Sequence, residues 1–260
     1  MTALSEGIDL LEDRNLVEGQ LDSLLAPGAD AVQAAMRYAV LGAGQRLRPI
    51  LALRVARLVA ADPAVSLLAA SAVELLHCAS LIVDDLPCMD NAPLRRNRPA
   101  VHVEFGEATA VLAAFALVAQ AARLVAGESC FQLRLLATLD SNGLIAGQAL
   151  DLAMTGPRRE RNRSRVTGMK TVPLFVLAVE AGALGSESPH GERERLLRFG
   201  REFGIAYQMM DDYLDGEIAT REVVDRQLAR ARGVLAPFGD RAGELCGLVD
   251  YLHARIAPES

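Results

Sequence analysis

Two clusters of aspartates, each following a long apolar stretch, constrain this sequence more than any other feature. They are Asp84-Asp85-Leu86-Pro87-Cys88-Met89-Asp90 and Asp211-Asp212-Tyr213-Leu214-Asp215. Either cluster alone would be typical of a solvated helix end. Carboxylates this close repel one another, and one of them takes up a proton unless a cation intervenes. Because Mg2+ prefers oxygen ligands and completes its shell with water and substrate phosphates, the two clusters together predict an enzyme that acts on a diphosphate.

Apolar residues recur at helical spacing along nearly the whole chain, and no segment shows a convincing alternating strand pattern. Hydrophobic residues make up 51% of the sequence, which is ample for a large core. We therefore predict that residues 1–260 form a single all-α domain, a bundle of long, inward-facing helices. The predicted helices are Asp30–Leu41, Ile50–Ala61, Val65–Asp85, Ala108–Gly127, Phe131–Met154, Val166–Ala183, the stretch from Phe199 to Leu214, Arg221–Leu235 and Ala242–Ile256.

Charge and segment composition exclude several classes of protein. The net charge of −6 argues against a nucleic-acid surface. The acidic start, Met1 to Asn15, does not resemble a signal peptide, and the apolar run Ala108–Ala119 is short for a membrane span. The four cysteines show no metal-ligand spacing and are expected to be reduced. These features predict a cytoplasmic protein without a membrane span.

The residues around each cluster share helix faces with it. Asp211 and Asp215 are four residues apart on a helix, and Gln208 extends that face by about one turn. His77, Ser80 and Asp84 stack in the same way before the first cluster, and Pro87 should turn the chain so that Asp90 can come back. The two clusters are therefore expected to form one site.

Basic residues near the clusters suit a phosphorylated ligand. Leu94-Arg95-Arg96 follows the first cluster, and Gln45-Arg46-Leu47-Arg48 follows the first predicted helix. A guanidinium fork matches phosphate oxygens, although an exposed loop between helices would explain the second set equally well. Lys170 is the single lysine of a chain whose other basic residues are arginines. Its retention is as easily explained by chance on a solvated surface as by a need for a compact positive charge.

The ordered motifs resemble those of the trans-isoprenyl diphosphate synthases, most closely the bacterial geranylgeranyl diphosphate synthases. The matching residues are Gly44 to Pro49, His77, the first cluster with Leu94-Arg95-Arg96, Gly147-Gln148, Lys170-Thr171 and Gln208 to Asp215. The resemblance implies an all-α isoprenoid-synthase fold with a central cavity, a homodimer, and isopentenyl diphosphate and an allylic diphosphate as substrates. The allylic substrate would be dimethylallyl, geranyl or farnesyl diphosphate.

The resemblance also implies a role for each matching residue. Three Mg2+ ions per active site would be held by Asp84, Asp85, Asp90, Asp211, Asp212 and Asp215, and all of these except Asp215, together with Lys170, would be catalytic. Arg95 and Lys170 would contact the allylic diphosphate, with Thr171 and Gln208 nearby. Gln45, Arg48, His77 and Arg96 would lie around the diphosphate of isopentenyl diphosphate.

The length of the product is expected to depend on small residues about one turn before Asp84. Ala79 and Ser80 would leave room for a growing tail, whereas the counterpart of Ala79 is aromatic in some farnesyl-producing members of the family. This favours geranylgeranyl diphosphate, a C20 product. Residues on neighbouring helices, such as Phe115, are an alternative way to close the cavity.

Two departures from the family pattern leave other functions open. Gln45 stands where the family usually has Lys, and no Gly-Lys-Ser/Thr-like motif follows Gly216. The alternatives are a synthase that stops at farnesyl or geranyl diphosphate, or an impaired partner subunit of a heteromeric prenyltransferase. A terpene cyclase or head-to-head synthase is less consistent with Arg48, His77 and Arg96, because those enzymes need no such set for a second diphosphate.

Overall fold

A computed structural model describes residues 10–25, 27, 30–42, 44–154, 165–217 and 220–256, and these ranges are predominantly helical. The helices are α1 (Leu11–Leu24), α2 (Ala31–Val40), α3 (Leu47–Leu58), α4 (Pro63–Asp84), α5 (Val101–Phe105), α6 (Glu107–Leu124), α7 (Ser129–Leu139), α8 (Leu144–Leu152), α9 (165–170), α10 (Val172–Gly182), α11 (His190–Leu214), α12 (Arg221–Leu235) and α13 (Gly243–Arg255). A 3-10 helix, Ala236–Ala242, joins α12 to α13. The predicted all-α fold is confirmed.

Local chemistry explains where two of the long helices begin. The Asp30 side chain accepts a hydrogen bond of 2.8 Å from the backbone N–H of Gln33 and so caps α2. The Asp62 side chain caps α4 through the amides of Ala64 and Val65, at 2.8 and 3.1 Å. Pro63 is suited to the first turn of α4, because its missing N–H would have no helical partner there.

Two predicted helices are each interrupted in the structure. The prediction of one helix over Phe131–Met154 is wrong, because the side chain of Asp140 accepts a 2.7 Å hydrogen bond from the Asn142 amide and stabilises a turn between α7 and α8. The prediction of one helix over Val166–Ala183 is also wrong. The chain turns at Thr171 and Pro173 follows, which has no N–H to continue the hydrogen bonding of α9.

Helix α1 was not predicted, because its sequence is largely polar and acidic. Its apolar residues Val17 and Leu21 are nevertheless fully buried, and the helix packs on α3 and α4. Asp13 of α1 pairs with Arg54 of α3 at 2.9 Å, and both side chains are buried. Contacts from distant parts of the chain therefore stabilise a helix whose local pattern is weak.

A short hairpin follows the first aspartate cluster. Strands β1 (Leu94–Arg95) and β2 (Arg98–Pro99) pair antiparallel, with Arg95 opposite Arg98. The two turn residues, Arg96 and Asn97, both have positive φ angles, as the tightest hairpin turns require. The strands are too short to produce an alternating pattern, and this explains why no strand was predicted.

Helix α4 lies at the centre of the fold. It contacts α3, α6 and α10, and most of its apolar residues from Ala69 onward are buried. Helices α3 and α10 also approach closely: a Cβ atom at Gly182 would lie 2.1 Å from the carbonyl oxygen of Ala52. This packing fixes the end of α4, where the first aspartate cluster begins.

Helices α4 and α6 are long and apolar enough to cross a membrane, a property that they share with buried helices of soluble proteins. In its most apolar window α4 is 67% buried, whereas α6 is only 28% buried.

The exposed face of α6 carries an apolar stripe, which consists of Ala108, Val111, Leu112, Phe115 and Ala119. Phe115 is 71% exposed. The alternative in which Phe115 closes an internal cavity of the subunit is therefore wrong.

Candidate active site

The first aspartate cluster forms a compact turn at the end of α4. Asp84 is the last residue of the helix and Asp85 follows it. The backbone N–H of Asp90 donates to the carbonyl of Asp84 at 2.9 Å, and the N–H of Ala92 donates to the carbonyl of Asp85 at 3.2 Å. These hydrogen bonds bring Asp90 back to the helix end, beside Asp84.

Asp84 is the carboxylate with the strongest electrostatic conflict in this cluster. Burial raises its pKa from 3.8 to about 6, and the negative charges of Asp90 and Asp85 add to this increase. Lys170 and Arg95 oppose it, so both cations lie within electrostatic reach of Asp84. The Asp84 carboxylate therefore favours binding of additional positive charge.

Asp85 has a different environment from Asp84. It is 2% exposed, and both of its carboxylate oxygens accept hydrogen bonds from Arg95 Nε, at 3.0 and 3.1 Å. Arg95 Nη2 contacts the same carboxylate. The predicted metal ligand Asp85 and the predicted diphosphate contact Arg95 are thus paired with each other, and Asp85 orients Arg95.

Lys170 connects α9 with α8 and with the first cluster. Its Nζ pairs with Asp151 Oδ2 at 2.9 Å, while its charge acts on Asp84. Gly147 allows α9 to approach, since a Cβ there would lie 2.9 Å from Lys170 Cγ. The neighbouring Gln148 is 9% exposed, and neither polar atom of its side chain has a hydrogen-bond partner among the residues that the structure describes. A buried amide without partners in a ligand-free site is a candidate for ligand binding.

The second cluster joins α10 to α11 through a chain of hydrogen bonds. Thr171 Oγ1 donates to Gln208 Oε1 at 2.7 Å, and Gln208 Nε2 donates to Asp212 Oδ1 at 2.8 Å. Asp212 is buried, whereas Asp215 is exposed at the end of α11. The predicted neighbours Thr171 and Gln208 therefore orient one carboxylate of this cluster.

Asp211 lies beside cations and a phenol. Burial raises its pKa, and the charge of Asp215 adds to this, whereas Arg255, a hydrogen bond from Tyr207 and Arg48 lower it. Burial also raises the pKa of Tyr207, so the phenol remains a donor to Asp211. Neither Tyr207 nor Arg255 was assigned a chemical role from the sequence.

Arg48 and His77 form a polar contact next to this cluster. Arg48 Nη1 lies 3.1 Å from His77 Nε2, and its guanidinium lies 4.6 Å from the centre of the Phe175 ring. Burial, followed by the charges of Arg48 and Arg96, holds the pKa of His77 well below its usual value. The imidazole is therefore neutral. It accepts at Nε2 and carries its proton on Nδ1.

Donor groups at this contact lack partners. Neither Arg48 Nε nor His77 Nδ1 has a hydrogen-bond partner among the described residues, although both atoms are buried. Arg96 is close by: a Cβ at Gly44 would lie 2.7 Å from its Nη1. Uncompensated donors under several guanidinium charges define an anion site. It lies next to Asp211.

Arg46 is a structural residue of the site that the sequence analysis did not single out. Its side chain is fully buried and donates to Glu18 of α1 and Glu74 of α4, both at 2.7 Å. It also donates to the carbonyls of Val40 and Gly42. These contacts fix the loop that carries Gln45 and Arg48. The sequence could not reveal this role, because Glu18 and Glu74 each lie 28 residues from Arg46 along the chain.

The predicted chain-length residues occupy different faces of α4. Ser80 is half-buried and one turn before Asp84, and its hydroxyl donates to the carbonyl of His77 at 2.8 Å. Ala79 is 2% exposed and lies within the apolar core. Of the two, Ser80 therefore lies on the face of the helix that continues from Asp84.

The polyprenyl synthetase family profile matches residues 29–228, and the chain belongs to this family. It is 38% identical over 206 residues to geranylgeranyl pyrophosphate synthase 11, chloroplastic, of Arabidopsis thaliana, a match that covers 74% of this chain and 58% of the relative. Geranylgeranyl pyrophosphate synthase 4 of the same plant is 35% identical, with 85% and 58% covered. The chain spans about three fifths of the length of the curated relatives it matches.

Solved structures of the same fold are also similar. The apo structure of an FPP/GFPP synthase from Zymomonas mobilis has a TM-score of 0.84 and 32% identity, and covers 92% of this chain and 96% of its own. A geranyltransferase from Legionella pneumophila has a TM-score of 0.84 and 30% identity, with 94% of each chain covered. These matches confirm the isoprenoid-synthase fold that the motifs implied.

We predict that Asp84→Asn raises the free energy of unfolding at pH 8 by roughly 1–2 kcal/mol. This is less than the full pKa shift of Asp84 implies, because its side chain keeps contact with water. The folded chain holds the Asp84 proton more tightly than the unfolded chain does. The contribution of this proton to stability is therefore complete below pH 3.8 and is lost as the pH rises through about 6. Denaturant unfolding at pH 8 and pH 5 should show the benefit shrinking at the lower pH.

The matched control is Asp85→Asn. This variant removes a charged acceptor from Arg95 and should lower the free energy of unfolding by about 1–3 kcal/mol at both pH values. A loss of stability in Asp84→Asn at pH 8 would contradict the electrostatic description of the cluster.

Proposed function

We propose that this chain is a Mg2+-dependent short-chain prenyltransferase that condenses isopentenyl diphosphate with an allylic diphosphate to give geranylgeranyl diphosphate. The observation that carries the proposal is the pairing of two distinct binding regions. One contains the first aspartate cluster with Lys170 and Arg95, and the other contains Arg48, His77 and Arg96 beside Asp211. A reaction between two diphosphate substrates needs two such regions side by side.

The carboxylates fit Mg2+ in their chemistry. Asp84 and Asp211 are partly buried, and each has a like-charged neighbour that raises its pKa, a conflict that a divalent cation relieves. Among the described residues no three acidic, histidine or cysteine side chains come close enough to bind a metal unaided. Mg2+ is usually held by one or two carboxylates together with substrate phosphates and water. When bound, Mg2+ would take up the negative charge of the departing diphosphate.

The side chains of the first region would orient and stabilise the leaving diphosphate. Lys170 and Arg95 supply positive charge next to Asp84, and Asp151 and Asp85 hold these two cations in place. The C–O bond of the allylic substrate breaks, and its electron pair stays with the diphosphate oxygen. The protein supplies no nucleophile, because the double bond of isopentenyl diphosphate attacks the allylic carbon.

The second region would place that double bond beside the allylic carbon. Arg48 and the N–H of His77 have unpartnered donors for the isopentenyl diphosphate oxygens, with Arg96 nearby. A proton then leaves the new cation, and the released diphosphate is the nearest base available to it. The apolar walls of α4 and α10 exclude water, which would otherwise react with the cation.

A chain-elongation assay tests this function. The purified chain with Mg2+ and isopentenyl diphosphate is incubated with dimethylallyl, geranyl or farnesyl diphosphate, and the dephosphorylated products are separated by chromatography. We expect a C20 alcohol. We expect Asp84→Ala and Asp211→Ala each to lower kcat by at least about 100-fold, because each removes a carboxylate that would hold Mg2+ against the leaving diphosphate.

The control for this assay is Asp240→Ala, which removes an exposed carboxylate from the 3-10 helix and should leave the rate unchanged. A final product of C15 or C10 would support the prenyltransferase reaction but contradict the assignment of a C20 product. Absence of elongation from folded protein with every starter would instead favour a partner subunit of a heteromeric prenyltransferase.

Ser80 and Ala79 provide a separate prediction about product length. Ser80→Phe places a ring on the face that continues from Asp84, so we expect the main product to shorten from C20 to C15. Ala79→Tyr should also shorten it, with a loss of about 1–3 kcal/mol of stability because Ala79 is buried in the core. Unchanged product length in both folded variants would reject this route for the tail.

We also propose that the protein is a homodimer in which the apolar stripe of α6 packs against a second copy. The stripe has no charged side chain, and it is exposed along most of the helix. Further exposed apolar residues lie on the following helices at Leu133, Leu136 and Ile145. A surface this apolar is typical of an interface rather than of a monomer in water.

Phe115→Glu should convert the dimer to a monomer, because it buries a charge without a partner. Light scattering should show a mass of twice the 27.8 kDa chain for the original protein and about 27.8 kDa for the variant. Leu16→Glu is the control, since Leu16 is an exposed leucine on α1, and it should remain dimeric. A monomeric original protein would reject the proposal.

A further inference from the structure

The end of α13 lies next to the anion site, although the two are distant in sequence. Arg255, the last residue of α13, donates from Nη1 to Gln45 Oε1 at 2.8 Å. Gln45 belongs to the loop that leads into Arg48. The hydrogen bond thus joins positions that are 210 residues apart and places a guanidinium at the edge of the site.

Other residues of the site confirm where Arg255 lies. Its positive charge is among the influences that lower the pKa of both Asp211 and Tyr207, so it is near both side chains. The charge of Arg48 acts on the same two groups. Arg255 and Arg48 therefore approach one region from different helices, α13 and α3.

The partner of Arg255 is a neutral amide rather than a carboxylate. Within the part of the chain that the structure describes, Arg255 has no ion pair within 4 Å, unlike Arg46, which is paired with Glu18 and Glu74. Gln45 thus fixes one Nη group of Arg255 without neutralising its charge. The remaining N–H groups of a guanidinium keep their ability to bind an anion.

We propose that Arg255, held in position by Gln45, binds the diphosphate of isopentenyl diphosphate together with Arg48, His77 and Arg96. This deepens and rests on the proposed function, because it assigns a further residue to the second substrate region. It also gives Gln45 a role of its own. A Lys at position 45 would place two cations against each other, whereas the amide oxygen accepts from Arg255 and keeps the positive charge of the site on α13.

Steady-state kinetics separate this role from a purely structural one. Arg255→Gln should raise KM for isopentenyl diphosphate about 10- to 100-fold, the loss expected for a charge-assisted hydrogen bond. KM for farnesyl diphosphate should change less than about twofold. A merely structural Arg255 would alter both KM values together, or only the melting temperature, and either result would overturn the proposal.

A double-mutant cycle that moves the positive charge from position 255 to position 45 extends the test. Gln45→Lys alone should not improve the affinity for isopentenyl diphosphate, because its ammonium faces Arg255. In the double variant Gln45→Lys/Arg255→Gln, the new lysine at position 45 supplies the positive charge that position 255 has lost. The KM for isopentenyl diphosphate should then be at least about fivefold lower than in Arg255→Gln alone. Purely additive effects of the two substitutions would overturn the proposal.

The matched control is Arg232→Gln, which makes the same change of charge at the α12–α13 contact, where Arg232 pairs with Asp250. It should leave both KM values unchanged. If Arg255→Gln does not fold, Gln45→Leu removes the acceptor while keeping Arg255. It should raise KM for isopentenyl diphosphate at least threefold, and an unchanged value would count against the proposal.

Calorimetric titration of the full chain with inorganic diphosphate makes this test independent of turnover. A protein without elongation activity would contradict the proposed function. The proposal for Arg255 would still stand if Arg255→Gln weakened diphosphate binding at least fivefold relative to Arg232→Gln. Equal binding by these two variants would overturn it.

Discussion

The placement of partly buried carboxylates at the ends of α4 and α11 is the constraint on which the rest of the structure depends. Asp84 and Asp211 are ionisable groups in largely desolvated positions, each next to another negative charge. Such groups persist only where cations or ligands compensate them. Lys170 approaches from α9 and Arg255 from α13, so the arrangement of helices around α4 and α11 is also an arrangement of charges.

The basic residues near the site divide into two kinds according to their partners. Arg46 is saturated by Glu18, Glu74 and backbone carbonyls, and its function is to hold a loop. Arg48 and Arg255 instead contact neutral groups, a histidine and a glutamine, and so keep charge for an anion. Arginines that look equivalent in the motif Gln45-Arg46-Leu47-Arg48 therefore have opposite roles, which depend on what each side chain contacts.

The long helices and their apolar faces could be predicted from the sequence, because helical periodicity is a local property. Prediction failed where distant contacts or a single turn residue decided the outcome. Asp140 and Pro173 interrupt helices that the apolar pattern continues. Helix α1 forms although its pattern is weak, because Asp13 and Val17 meet partners on α3 and in the core. The hairpin after the first cluster is too short for any periodic signal.

The sequence by itself determined the chemistry of the candidate site: two aspartate clusters, an arginine-rich loop and one lysine. Only the tertiary structure decided which of these groups meet. It paired Asp85 with Arg95, oriented Asp212 through Gln208, exposed Phe115 and brought Arg255 to Gln45. The physical reason is that residue type fixes what a side chain can bind, whereas burial and the packing of distant helices fix which partners it reaches and how much charge it retains.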